Sequence, residues 1–196
     1  MKIYAEITSP LNPQEPARIV WPDSCWLLSD RPLYIPDFAP EFTAVTAMAG
    51  KIGRLGKCIA PRFAHRYVAQ WTAALIIIPR PLCDRIIKGE SPQSADLCFD
   101  NALVLGDWMP EPPQRLCINF QSPDGPEAAD SVAYDSDPVF SALVNLSARN
   151  TLKMGDVIIA ANPDTFRAFA VQEGASLTIG TSDDISATTV LSTRFK

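Results

Sequence analysis

Apolar positions in this chain fall in short runs, many of which alternate with polar positions, and this is the pattern of β-strands. In residues 115–120 every second side chain is a large apolar one, whereas residues 73–78 are apolar throughout. The first pattern predicts a half-buried strand and the second a buried one. On these grounds we predict strands at residues 26–28, 33–35, 43–48, 72–78, 115–120, 130–134, 157–161, 166–171, 175–179 and 188–195, and a short apolar segment at 102–106.

Two stretches carry a helical pattern instead. Residues 61–70 begin with a proline, which suits the first helical position, and Phe63, Tyr67 and Trp71 follow at intervals of four on one side of a helix. Residues 137–147 begin with Asp-Pro, where aspartate is a good N-cap and proline fits the first turn. We therefore predict two short helices, at 61–70 and 137–147.

Proline is the most unusual feature of the composition. The 196 residues include 18 prolines and 9 glycines, and seven of the prolines fall in the first forty residues. Because proline removes a backbone donor and fixes φ, we expect loops and short edge strands in that region. No repeat, low-complexity tract or linker interrupts the chain, so residues 1–196 are predicted to form one domain.

The charge and the lengths of the apolar runs argue against several partners. A net charge of -5 with scattered basic residues disfavours nucleic acid, which needs a basic face. The longest apolar run is far shorter than a membrane span, and the first residues lack the apolar core of a secretory signal. We expect a soluble cytoplasmic protein with no membrane or nucleic-acid partner.

The five cysteines, at positions 25, 58, 83, 98 and 117, form no recognisable metal or disulfide pattern. Their number is odd, no two are spaced Cys-x-x-Cys, and the chain has a single histidine. We predict buried free thiols in a reducing compartment. A redox role would need an exposed, reactive thiol, which the sequence does not reveal.

Four segments carry a more specific pattern. They are Trp21-Pro22-Asp23-Ser24 with Tyr34-Ile35-Pro36, residues 49–78, Phe99-Asp100-Asn101-Ala102 with Leu105-Gly106, and residues 151–158, which contain Leu152-x-x-Gly155-Asp156, with Ala160-Ala161-Asn162-Pro163. In this order they resemble the fumarylacetoacetate hydrolase family: its Lys-Pro-x-Ser/Thr entry, its strand, polar link, short helix and second strand, its Phe-Asp-Gly-Ser turn, and its Leu-x-x-Gly-Asp and Thr-Gly-Thr-Pro segments. Together they cover about half of the chain.

The resemblance implies a fold and a site. The fold is mainly β, of the α+β class: a mixed β-roll of curved sheets with a few short helices, in proteins that usually dimerise. The family's chemistry uses Mg²⁺, Mn²⁺ or Ca²⁺, held by two glutamates spaced Glu-x-Glu on one strand and by an aspartate on the strand after the helix. Residues i and i+2 of a strand share a face, and a hard cation prefers carboxylate oxygen.

At the positions that match these ligands the chain has no carboxylate. The two glutamates correspond to Val45 and Ala47, and the aspartate corresponds to Ile76. A shift of register does not restore an acid, because residues 43–50 and 72–78 contain none. The resemblance therefore predicts a chain without the family's metal site and without a metal cofactor.

Other positions of the implied site are also changed. The family's lysine before the Phe-Asp turn corresponds to Leu97, and its Gly-Thr pair corresponds to Ala161 and Asn162, whereas Asp100 matches. The histidine-bearing lid has no counterpart in residues 7–12. We take Val45, Ala47, Ile76, Leu97, Asp100 and Asn162 as the positions of a remnant pocket.

The remaining polar candidates have ordinary structural explanations. His65 has no neighbouring acid to form a catalytic dyad, and Asp100 suits a turn that its side chain caps. Asp183 and Asp184 are typical of a solvated turn, and Ser24 has no base nearby in the sequence. Arg80, between two prolines, is either a contact for an anionic group or a surface residue.

Three hypotheses follow. The first is a non-catalytic relative that kept the scaffold, forms a homodimer or a hetero-oligomer with a related subunit, or holds a small anionic ligand. The second is an enzyme with a rebuilt, metal-independent site around Asp100, Arg80 and Ser24. The third is a metal-dependent hydrolase, decarboxylase or isomerase, acting on a β-keto acid or acylpyruvate, whose ligands lie in unmatched segments.

Overall fold

The computed structural model describes residues 1–9, 11–125, 127–162, 167–181 and 189–196, and strands dominate them. In chain order the strands are β1 (Lys2–Ile7), β2 (Ala17–Pro22), β3 (Trp26–Leu28), β4 (Pro32–Leu33), β5 (Phe42–Ile52), β6 (Val68–Pro79), β7 (Leu103–Leu105), β8 (Arg115–Gln121), β9 (Ala128–Ala133), β10 (Val157–Ala161), β11 (Ala168–Val171), β12 (Ser176–Gly180) and β13 (Thr189–Phe195). The helices of this part are α1 (Arg80–Ile87) and α2 (Asp137–Ser147), with 3₁₀ turns at Asp23–Cys25, Pro61–Arg66 and Ser94–Leu97.

Most predicted elements are confirmed, and the helix predicted at 61–70 is shorter than predicted and is a 3₁₀ helix rather than an α-helix. The bounds of α2, β3 and β10 are those predicted. Residues 61–66 instead form a 3₁₀ turn, and β6 begins at Val68, so Trp71 lies in a strand and not on a helical stripe. Aromatic and β-branched residues favour extended backbone, and pairing along the whole of β5 outweighs the helical spacing.

Three elements were missed because proline was given too much weight. Strands β1 and β2 pair over their full lengths, although prolines surround them. Strand β2 lies at the end of its sheet, where a proline such as Pro22 is tolerated. Helix α1 has Pro81 in its first turn, a favourable place for proline, so that residue begins a helix rather than only ending β6.

The strands form two mixed sheets. The larger has the order β2-β1-β10-β5-β6-β7-β3, with β11 paired to β5 next to β10, and the smaller has the order β4-β13-β12-β8-β9. The pairs β1–β10, β3–β7 and β4–β13 are parallel, and the other pairs are antiparallel. With the few short helices, this arrangement confirms the predicted mainly β, α+β class.

The larger sheet is strongly curled. Strands β2 and β3 are its outermost members, yet only residues 23–25 separate them in the chain. In a flat sheet six strand spacings would place them about 29 Å apart, but the backbone from Pro22 to Trp26 can span at most about 15 Å. The sheet therefore closes into a roll, as predicted.

The two faces of the rolled sheet form separate cores. The outer face packs against the smaller sheet and α2. The inner face is buried by α1, by the 3₁₀ turns at residues 23–25 and 94–97, and by the curled sheet itself. Much of this interior is made of small side chains, namely Ala5, Ala17, Ala47, Ala49, Ala74 and Ala161.

Candidate functional site

Val45, Ala47 and Ile76, the positions that the resemblance assigns to metal ligands, lie together on the inner face of the roll. Val45 and Ile76 are direct partners across β5 and β6, and Ala47 stands two residues further along, opposite Ala74. All three are 0% exposed. The structure therefore brings these three positions together, and all three side chains are hydrocarbon.

Two positions that the resemblance assigns to lysines also meet in this interior. Trp21, at the first position of the Trp-Pro segment, and Leu97, before the Phe-Asp turn, belong to the same apolar cluster as Val45. The Trp21 indole nitrogen, Nε1, donates a buried hydrogen bond of 2.7 Å to the carbonyl oxygen of Leu97. This hydrogen bond joins strand β2 to the 3₁₀ turn at residues 94–97.

The residues present do not fit a divalent cation. Mg²⁺, Mn²⁺ and Ca²⁺ require several oxygen ligands, usually including carboxylates. The buried hydroxyls of Thr43 and Thr72 lie on this face, but two hydroxyls are far short of a ligand set. Among the described residues, no three His, Cys, Asp or Glu side chains come close enough to hold a metal.

The Phe-Asp turn contains a residue in the left-handed backbone region. Asn101 has a φ of 62°, in the left-handed region that the glycine of the family's turn would adopt readily, and asparagine is among the residues that tolerate it. Asp100 is exposed beside it. Gly106, which ends this segment, lies so close to the Val190 carbonyl oxygen that a Cβ would collide with it. The backbone conformation therefore accounts for the residue types at Asn101 and Gly106.

The Gly-Asp turn also has a structural explanation. Gly155 has a φ of 84°, and the Asp156 carboxylate behind it is buried. Its oxygens accept backbone hydrogen bonds from Lys2 at 3.0 Å and from Lys153 at 2.9 Å, and the Lys2 ammonium lies 3.6 Å away. Asp156 therefore anchors the turn to strand β1.

The other predicted polar residues are dispersed. Arg80 is the first residue of α1, half exposed, and its Nε lies 3.2 Å from an Asp84 carboxylate oxygen, so its charge is already paired. His65 is exposed on the 3₁₀ turn rather than on a helix. Asn162 is half-buried directly after β10. Asp183 and Asp184 lie outside the described residues.

The prediction of buried thiols holds for Cys25, Cys83 and Cys117 and is wrong for Cys58 and Cys98, which are exposed. Both exposed cysteines lie in connections rather than in strands, where covering by neighbouring layers is incomplete.

A thiol pair was missed by sequence reasoning. The sulfur atoms of Cys25 and Cys98 are 3.6 Å apart, although 73 positions separate the residues in the chain. Burial and the neighbouring Cys98 thiol raise the pKa of Cys25 to about 11, and both Ser24 and Asp100 lie near enough to influence it. No spacing rule could have paired two cysteines so distant in sequence.

Comparison with known proteins places the fold. The sequence matches no family model and no curated protein. An Escherichia coli protein proposed to be an isomerase superposes with a TM-score of 0.76 at 22% identity, over 100% of this chain and 91% of that one. A Pseudomonas aeruginosa fumarylpyruvate hydrolase, in complex with Mn²⁺ and pyruvate, gives 0.76 at 18% identity, over 100% and 89%.

A protein from Yersinia pestis, proposed to belong to the fumarylacetoacetate hydrolase family, gives a TM-score of 0.75 at 20% identity, over 100% of this chain and 92% of that one. This chain has the fumarylacetoacetate hydrolase fold. The likeness extends over nearly the whole length of these proteins, so the fold is shared from end to end. No helix among the described residues is long and apolar enough to cross a membrane.

Proposed function

We propose that this protein is a non-catalytic scaffold with the fumarylacetoacetate hydrolase fold, which acts by binding a partner and not by metal-dependent chemistry. The observation that carries the proposal is the packing of Val45, Ala47 and Ile76 in the roll interior, where each side chain is fully buried in hydrocarbon. A carboxylate is absent at all three positions, and the cluster around them is mainly apolar.

The argument rests on the ligands that a hard cation requires. In this fold the P. aeruginosa fumarylpyruvate hydrolase is in complex with Mn²⁺ and pyruvate. A metal of that kind polarises a bound oxygen only while carboxylates hold it in place. The positions that the resemblance assigns to the ligands hold packed apolar side chains, and this supports the proposal because metal and substrate at that place would have to displace a core.

A partner-binding role has support on the surface. Leu55 and Met154 are large, apolar and 68% and 74% exposed. They lie on adjoining turns, which are joined by backbone hydrogen bonds between Gly56 and Leu152. We propose that the protein forms a homodimer or a hetero-oligomer with a related subunit, and that a small anionic ligand is a further candidate.

A second candidate function is hydrolysis, decarboxylation or isomerisation of a β-keto acid or acylpyruvate. Its support is the likeness to a fumarylpyruvate hydrolase and to a proposed isomerase. A rebuilt site would draw on Ser24 and Asp100, which both lie near Cys25. Arg80 contributes less to such a site, because Asp84 already pairs with it.

Calorimetric titration with Mn²⁺, followed by an assay for acylpyruvate cleavage, separates the two functions. The P. aeruginosa enzyme, tested in parallel, is the positive control. We expect no stoichiometric binding of Mn²⁺ and no turnover above the uncatalysed rate. One tight Mn²⁺ site per chain would contradict the proposal, and turnover with or without metal would establish the second function in its place.

A further inference from the structure

We infer that Cys25 and Cys98 are an oxidation site at which peroxide converts two thiols into a reversible disulfide. The inference is independent of the proposed function, because it rests on a contact between thiols and not on the roll interior. The two sulfur atoms are 3.6 Å apart.

The geometry permits the bond with a small adjustment. The sulfur atoms must approach by about 1.6 Å to reach disulfide length. Cys25 ends the 3₁₀ turn after β2, and Cys98 directly follows the 3₁₀ turn at residues 94–97. Both therefore lie in short connections, which move more readily than strands. The hydrogen bond from Trp21 to Leu97 already holds these two connections together.

The two thiols differ in access, and this sets the order of events. Cys98 is exposed and lines an open groove of 510 Å³ together with Phe38, Leu82 and Phe99. Cys25 is 2% exposed behind it. A small oxidant therefore reaches Cys98 first, while the raised pKa of Cys25 keeps that thiol protonated and unreactive toward peroxide.

The chemistry needs a hydroperoxide as oxidant. The Cys98 thiolate attacks one peroxide oxygen, the O–O bond breaks, and a sulfenic acid forms with release of hydroxide. The Cys25 sulfur then attacks the Cys98 sulfur and the S–O bond breaks. The Cys25 proton and the departing hydroxyl leave as water. The two sulfurs are oxidised by two electrons in total, and the peroxide is reduced.

The other three cysteines lie in different surroundings. Cys83 lies on the buried side of α1, and the Cys117 sulfur lies 3.8 Å from the Ser131 hydroxyl oxygen. Cys58 is exposed but is not in contact with a second thiol among the described residues. It serves as the matched control, because it shares the exposure of Cys98 and differs in having no thiol beside it.

The test treats the full-length protein with hydrogen peroxide and maps its peptides by mass spectrometry without reduction. We expect a Cys25–Cys98 linked peptide, a loss of two hydrogen atoms, and full reversal by dithiothreitol. The new cross-link should also raise the melting temperature by about 5–10 °C, because it restricts the unfolded chain. Cys58→Ser should leave all of these results unchanged.

Two variants make the test decisive. Cys98→Ser changes an exposed side chain, so the protein is expected to fold, and it should lose both the linked peptide and the temperature shift. In Cys25→Ala, Cys98 should stop at the sulfenic acid or proceed to the sulfinic acid. Sulfinic acid at Cys98 of the unmodified chain, with Cys25 still reduced, would overturn the inference. A disulfide between Cys25 and another cysteine in Cys98→Ser would overturn it as well.

Discussion

Val45 and Ile76 face each other across the antiparallel strands β5 and β6, and neither side chain reaches solvent. Ala47 lies on the same face, two residues from Val45. Side chains at these three positions can therefore reach one another, whatever their chemistry. Substitutions at these positions can therefore test whether three acids placed there would bind one metal ion.

Carboxylates at the three positions should create a metal-dependent stability. In the triple variant Val45→Glu, Ala47→Glu, Ile76→Asp, the buried acids repel one another and resist ionisation, so the melting temperature should fall without metal. Mn²⁺ should recover part of the loss, about 2.7 kcal/mol at a hundredfold excess over its dissociation constant. Thermal unfolding with and without Mn²⁺ measures both effects.

The control moves one acid to the opposite face. In the triple variant Val45→Glu, Ala47→Glu, Ile77→Asp, the third carboxylate points toward the outer core, because Ile77 lies there. This variant should lose stability without recovering it in Mn²⁺. Equal behaviour of the two triple variants would show that the placement of the ligand positions is wrong.

Trp21→Phe should destabilise the protein by about 1–2 kcal/mol. The substitution keeps an aromatic ring in the interior but removes the indole N–H, so the buried Leu97 carbonyl loses its 2.7 Å hydrogen bond. Urea unfolding gives the free-energy difference. Trp26→Phe, at a half-buried position of β3, is the control, and an equal loss there would assign the effect to ring size alone.

Asp156→Ala should lower the free energy of unfolding by about 2–4 kcal/mol, more than Trp21→Phe, because two backbone N–H groups lose a charged acceptor. Those groups belong to Lys2 and Lys153, so β1 and the Gly-Asp turn are both affected. Asp124→Ala, in an exposed turn, should stay within about 0.5 kcal/mol of the unmodified protein. Similar losses in both variants would contradict the anchoring role.

Stability should decline at alkaline pH through Cys83. Burial, followed by the Asp84 charge, raises the pKa of Cys83 from 9.0 to about 11. Between pH 9 and 11 the unfolded chain binds fewer protons than the native state. The stability that the protonated Cys83 thiol contributes is therefore fully present below pH 9 and is lost as the pH rises through 11. The loss should be about 2 kcal/mol.

Burial also raises the pKa values of Cys25 and Tyr134, which act in the same direction, so a variant is needed to isolate Cys83. Urea unfolding between pH 8 and 11 should show a shallower decline in Cys83→Ala, while Cys58→Ala should follow the unmodified protein. An unchanged slope in Cys83→Ala would show that the thiol is not responsible.

The proposed self-association has a direct measurement. Light scattering at micromolar concentration should give twice the chain mass for a homodimer. Leu55→Glu combined with Met154→Glu should reduce that mass to one chain, because two charges would be desolvated at the contact. A monomer mass, together with no related subunit that co-purifies with the protein from cells, would count against the partner-binding role.

The elements that the sequence predicted well carry their own local signals. The Asp-Pro start of α2 and the uniform apolar run of β10 need no information from elsewhere in the chain. The 61–70 prediction failed where local and distant preferences conflict: Val68 to Trp71 pair with β5, and that pairing outweighs the helical spacing. The curl of the sheet is likewise a property of distant pairing.

The candidate site divides in the same way. The absence of acids near Val45 and Ile76 is visible in the sequence because it holds for every register of two short segments. The contact between Cys25 and Cys98 is not visible, because it depends on how β2 and the 94–97 turn are brought together. The pairing of Arg80 with Asp84 required α1, which the sequence pattern did not reveal.

The alanines that line the roll interior also constrain the paths by which such a protein could change. A first glutamate at Ala47 would enter a space sized for a methyl group, without a metal and without a second carboxylate to share it. Each further acid would meet the same penalty until the whole set was in place. Single substitutions toward a carboxylate set would therefore each lower stability, so the packed interior opposes a stepwise route to a metal site.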